Sequence, residues 1–94
     1  MKYEIVFDTV RHVVAEMRPH RVTVESLTED TVLFPVGDVE GETLDLDSTD
    51  LLAMVSSVED LLAVQLPPDV DWQSVHNLGE VCRAFMTYGH RAPD

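Results

Sequence analysis

The chain has a single cysteine, Cys82. No internal disulfide can form, and no second thiol is present to complete a metal cluster, so Cys82 reads as a small buried apolar side chain, with a reactive thiol as the alternative. Long apolar runs are missing as well, since none reaches the ~18 residues a membrane span requires. The opening MKYEIVFDTVRHVV carries acids where a secretory signal would be apolar throughout, and the expected location is the cytoplasm. Positive charge is scarce: the basic residues are Lys2, Arg11, Arg18, Arg21, Arg83 and Arg91, and there is none from Val22 to Cys82. Fourteen of the 18 acids fall within that stretch, and the net charge is −12. Such a field repels nucleic acid and anionic lipid and favours basic proteins. A plainer reading is that acidity only keeps a small domain soluble.

Several chemistries lack their parts. There is no internal repeat, no low-complexity segment, no Gly-x-Ser-x-Gly elbow and no glycine-rich phosphate loop. His12, His20, His76 and His90 are scattered without zinc spacing and read as solvent-facing or capping residues, so no metal site is expected. The stretch DLDST begins like a calcium loop. Its sixth position would be Asp50 instead of glycine and its twelfth Ser56 instead of glutamate, which removes both the turn and the bidentate ligand.

What is present fits one domain of 94 residues, 45% of them hydrophobic. Tyr3, Val6, Val10, Val13 and Met17 recur at helical spacing, and Pro19 disfavours helix at the residue before it, which predicts a first helix over about 3–18. Residues 19–46 show no helical stripe and contain Pro35, Gly37 and Gly41. They read as a long first loop pinned by Leu27, Val32, Leu33 and Phe34, with a short hairpin of RVTV and DTVLFPV as the alternative. Asp47 is a good N-cap for a second helix over about 48–64, with Asp50 at the third helical position, where negative charge suits the exposed amides. Leu51, Val55, Val58 and Leu62 make its core face, and Pro67 bars its continuation. A turn or brief helix follows over 68–72. Ser74 is the expected N-cap of a last helix over about 75–88, with a frayed tail over 89–94. The predicted fold is all-α, a small antiparallel bundle of three to four helices with a long first loop. Its core should include Val10, Val14, Val55, Val58, Leu62, Val75 and Leu78, with Trp72 closing one end.

Ser48 then stands as the first residue of the second helix, facing solvent beside unpaired amides, where an anionic group such as a phosphate ester is well placed. Asp47 and Asp50 oppose that group by like charge, so it should stay mobile and hydrated. From Asp47-Ser48 the spacing runs on to Glu59 and to Leu66-Pro67. This stretch resembles the phosphopantetheine attachment region of acyl carrier proteins, in which Asp-Ser-Leu is followed by an apolar helix, a mid-helix glutamate and an Ile-Pro or Leu-Pro stop. The segments LTEDTVLF and WQSVHNLGEVCRAF are similar to that family's first-loop segment and last-helix entry, so the likeness covers nearly the whole chain.

The resemblance implies a monomeric, non-enzymatic carrier without catalytic residues, bearing 4′-phosphopantetheine on Ser48 and an acyl thioester on the arm. It implies partner contacts through Asp47, Thr49, Asp50, Met54, Glu59 and Asp60. The expected partners are a phosphopantetheinyl transferase, an acyl-loading ligase or transferase, a ketosynthase and other acyl-processing enzymes, with no nucleic acid and no membrane. Thr49 stands where the family usually has leucine, Val36 to Thr43 lengthens the first loop, and Ala53 and Ser57 thin the acidic face of the second helix. These departures point to a specialised carrier of fatty acid, polyketide or related acyl synthesis and away from the housekeeping member. The Gly-Gly-x-Ser pattern of peptidyl carriers is not matched. Two other classes remain: an acidic helical adaptor docking on a basic partner without a prosthetic group, and an enzyme assembling a nucleophilic triad from Ser48, a histidine such as His76 and one of the acids, for which no supporting motif is present.

Overall fold

The computed structural model describes residues 2–20, 22–33 and 46–91. Three α-helices dominate these residues: α1 (Tyr3–Met17), α2 (Ser48–Leu62) and α3 (Leu78–Tyr88). Helix α1 is rich in β-branched valine, which has modest helix propensity. Val6, Val10, Val13 and Val14 are nonetheless all buried on one face, and burial of an amphipathic stripe outweighs that propensity cost. Helix α1 packs against both α2 and α3 and so forms the centre of a small helical bundle.

Val6, Val10 and Val14 from α1, Met54 and Val58 from α2, and Leu78, Val81, Cys82 and Phe85 from α3 are fully shielded from solvent. Full burial of one such aliphatic or aromatic side chain contributes ~1.5–3 kcal/mol. Leu27, Leu33 and Leu46 from the first connection join this cluster. Val55 and Val75 are also buried, whereas Leu62 and Trp72 are only partly buried and lie against the cluster's edge. Cys82 is in the core, and burial pushes its thiol up to about 12, so it stays neutral and apolar across the physiological range.

Over the described residues 22–33 the first connection forms no hairpin. It makes a 3₁₀ turn at Val24–Ser26 and then runs beside the entry to α3. There the Gly79 amide donates to the Glu29 carbonyl at 2.9 Å, the Leu78 amide to Thr31 at 3.1 Å, and the Leu33 amide to His76 at 2.9 Å. The approach is close at Gly79, where an added Cβ would meet Glu29 Cβ at 3.1 Å and the Glu29 carbonyl at 3.2 Å. Tyr3 Oη donates to Glu29 Oε1 at 2.6 Å and ties the same segment to α1. The Leu46 amide donates to the Leu33 carbonyl at 3.0 Å, which sets the approach to α2 beside this stitched segment. The expectations for Phe34 and for Val36 to Thr43 lie outside the described residues.

Three boundaries differ from the sequence reading. The last helix is capped by Asn77, whose Oδ1 accepts from the Glu80 amide at 2.8 Å, and not by Ser74. Ser74 ends a 3₁₀ turn at Trp72–Ser74 and donates its hydroxyl to the Asp71 carbonyl at 2.9 Å, a local backbone bond that competes with capping. Asn77 also forms an isolated bridge with Val32, which keeps the backbone extended up to that point. Helix α2 stops at Leu62 because Ala63 takes a left-handed conformation (φ 54°, ψ 44°) and its amide caps the Asp60 and Glu59 carbonyls. The chain then enters a strand, β1 (Val64–Gln65), antiparallel to β2 (His90–Arg91). Part of the tail expected to fray is therefore paired with the exit of α2.

Candidate functional site

Helix α2 begins with a reciprocal cap. The Asp50 amide donates to Asp47 Oδ1 at 2.8 Å, and the Asp47 amide returns a bond to Asp50 Oδ2 at 3.3 Å. A side chain at each of these two positions thus satisfies an amide that the first helical turn cannot. Ser48 and Thr49 sit between the caps, both exposed, and as the first two helical residues their amides have no intrahelical acceptor. The start of α2 offers an accessible hydroxyl over a positively polarised helix end.

Two carboxylates beside that hydroxyl would repel an anion if uncompensated. Arg18, the residue that closes α1, donates through Nη2 to Asp50 Oδ2 at 2.9 Å and through Nη1 to the Met17 carbonyl at 3.0 Å. One guanidinium therefore caps the end of α1 and pairs with the start of α2. The Asp47 backbone bond and the Arg18 guanidinium hold the Asp50 carboxyl below the ordinary 3.8. Nothing in the sequence marks this pair, because the two residues are 32 positions apart. The exposed Ser48 hydroxyl fits a phosphodiester-linked arm, since no side chain has to be displaced and one of the two flanking acids is already paired.

The other residues expected to meet partners divide. Asp47, Thr49 and Asp60 are exposed, and Asp50 is half-buried through its pairing. Met54 is fully buried in the core and cannot form a surface contact, because its place three residues after Leu51 and four before Val58 puts it on the same buried stripe as Leu51, Val55 and Val58. Glu59 is half-buried, and its Oε2 accepts from the Leu66 amide at 2.8 Å. That bond ties the mid-helix glutamate to the Leu66-Pro67 stop, so this part of the spacing has a structural use within the chain itself. The four histidines are all exposed, and no cluster of metal-ligating side chains occurs among the described residues. His76 lies beside Glu80 at 4.0 Å, at the entry to α3.

In comparison with known proteins, no family model, no curated protein and no solved structure matches the chain. The fold and site define a small helical bundle with an accessible, acid-flanked serine at a helix start. No helix among the described residues is long and apolar enough to cross a membrane.

Proposed function

We propose that the chain is an acyl carrier protein: Ser48 takes 4′-phosphopantetheine as a phosphodiester, and the arm's terminal thiol carries an acyl group as a thioester. The observation that supports this most is the exposed Ser48 at the first position of α2, directly after the capping Asp47 and at the family's spacing from Glu59 and Leu66-Pro67. The arm, when bound, supplies the thiol. The protein supplies its placement: the caps fix the start of α2, Arg18 offsets one flanking acid, and the core holds the helix against α1. No residue of the chain acts as acid, base or nucleophile on the cargo.

The acidic surface steers basic enzymes of a cytoplasmic acyl pathway, in brief, salt-sensitive encounters. Exposed Asp47, Thr49 and Asp60 are the residues that remain available for such contacts, as Met54 and Glu59 are engaged within the fold. Thr49 makes the carrier a specialised one. A pocket built for leucine would be left underfilled and would receive a hydroxyl, which disfavours general fatty acid synthesis enzymes.

The test is intact mass after incubation with a phosphopantetheinyl transferase and coenzyme A. Wild type gains the mass of the arm and Ser48→Ala does not; an unmodified wild type, or a modified Ser48→Ala, overturns the assignment. In a fatty acid ketosynthase assay of the loaded proteins, Thr49→Leu should turn over faster than wild type. Equal rates would remove Thr49 as the specificity element.

A further inference from the structure

The far end of α2 carries a second feature, independent of Ser48. A groove of about 380 Å³ lies between α1 and α2, lined by Val13, Glu16 and Met17 on one side and by Ser57, Asp60 and Leu61 on the other. Val13 and Met17 give it an apolar floor, and Leu61, 68% exposed, stands at its wall as the most exposed large apolar side chain of the described residues. An isolated surface leucine needs no explanation, but this one stands at a groove with an apolar floor between two acids.

The acids set the sign of what fits. Several other carboxylates are used within the fold: Asp8 pairs with Arg11, Glu29 with Tyr3, Asp50 with Arg18, and Glu59 with the Leu66 amide. The carboxylates of Glu16 and Asp60, both exposed, form no hydrogen bond or ion pair among the described residues. Helix α2 contains no Lys or Arg, and the two arginines of α1 and its cap, Arg11 and Arg18, are already engaged with Asp8 and Asp50. Among the described residues, no Lys or Arg pairs with either acid of the groove.

We infer that the groove between α1 and α2 receives a segment of a partner protein that presents one large apolar side chain flanked by lysine or arginine, the apolar group resting on Val13, Met17 and Leu61 and the cations meeting Glu16 and Asp60. A second copy of this chain is a poor occupant, because each copy carries a net charge of −12 and they repel. The segment 34–45 of the same chain is equally mismatched, with Asp38, Glu40, Glu42 and Asp45 and no basic residue. Ser57 to Leu61 lie 9 to 13 residues beyond Ser48 in α2, about 14–20 Å along the helix. An occupant of the groove leaves the serine end open, so a partner can hold the protein there while Ser48 is served separately.

The experiment is a nuclear magnetic resonance titration of the methyl-labelled full chain with an amphipathic helical peptide bearing leucines flanked by lysines, with the same peptide carrying glutamate for lysine as control. Saturable shifts are expected at the Val13, Met17 and Leu61 methyls with the lysine peptide and none with the control. Leu61→Ser should weaken binding about tenfold or more, the loss expected when a buried leucine contact is removed. The pair Glu16→Gln with Asp60→Asn should weaken it severalfold at low salt and little at high salt. All three substitutions are at exposed positions, and melting curves check that the variants stay folded. Silent groove methyls at millimolar peptide, shifts mapping to another face, or unchanged affinity in both variants overturn the inference. So does concentration-dependent dimerisation that Leu61→Ser abolishes, since the occupant would then be a second copy. No step needs Ser48 to be modified, so failure here and failure of the carrier reading are separate results.

Discussion

The two ends of helix α2 treat their charged groups in opposite ways. At its start, Asp47 and Asp50 bond to each other's amides, and Arg18 reaches across from α1 to join them. At its far end, Asp60 and the facing Glu16 of α1 stay unpaired beside an exposed leucine. The start is thus capped and cross-linked to α1, and the end carries charge that no described side chain pairs with. One helix can serve both roles because its middle is fixed: Met54, Val55 and Val58 are buried in the core it shares with α1.

The strongest way to break this comparison is to loosen that middle. Met54→Ala should lower unfolding free energy by about 2–5 kcal/mol in a denaturant titration, as expected for truncating a fully buried side chain. A value within ~0.5 kcal/mol of zero, the range of an unconstrained surface substitution, would return Met54 to the role of a surface contact.

A smaller effect separates the ends directly. Asp47→Ala removes the cap and should cost about 1 kcal/mol, whereas Asp60→Ala should change stability by no more than about 0.5 kcal/mol. Equal losses in the two variants would mean that Asp60 has a structural partner after all. Below this comes Ala63, whose left-handed backbone ends α2. Glycine adopts that conformation without the Cβ penalty, so Ala63→Gly should stabilise the fold by roughly 0.5–1 kcal/mol in the same titration. A destabilised variant would show that strand β1 and not the backbone angle sets the helix end.

The finest distinction is in pH. The carboxyl of Asp50 is held below its ordinary value in the fold, so its contribution is present above 3.8 and is lost as pH falls through the lowered folded value. Wild type should lose stability across that acid window, and Asp50→Asn should lose less over the same window because it has no proton to take up. Parallel pH profiles for the two proteins would show that the Arg18 pair and the reciprocal cap do not distinguish the charged form.

Much of the bundle was legible along the chain because helical periodicity and capping are local. The valine stripe of α1, the Asp47 cap with Asp50 three residues on, and the apolar face of α2 follow from spacings shorter than two helical turns. The entry to α3 was misplaced for a non-local reason. Ser74 and Asn77 are comparable caps in sequence; the Ser74 hydroxyl bonds back to the Asp71 carbonyl, and Asn77 is held by a bridge to Val32, far back in the first connection. Likewise, the tail looked free because two-residue strands have no pattern of their own, and β2 exists only where β1 is brought beside it.

The sequence by itself determined where helices start and stop to within a few residues, which side chains are apolar enough to bury, and that Ser48 follows a cap at an exposed helix end. Only the tertiary structure decided which acids are already occupied: Asp50 by an arginine 32 residues away, Glu59 by a backbone amide beyond its own helix, and Glu16 and Asp60 by neither. It also decided that Met54 faces inward and Leu61 outward. The physical reason is that burial and pairing are properties of what lies across a gap in space, which the order of residues along the chain does not record, whereas helix caps and stripes are satisfied within a turn or two of the residues that make them.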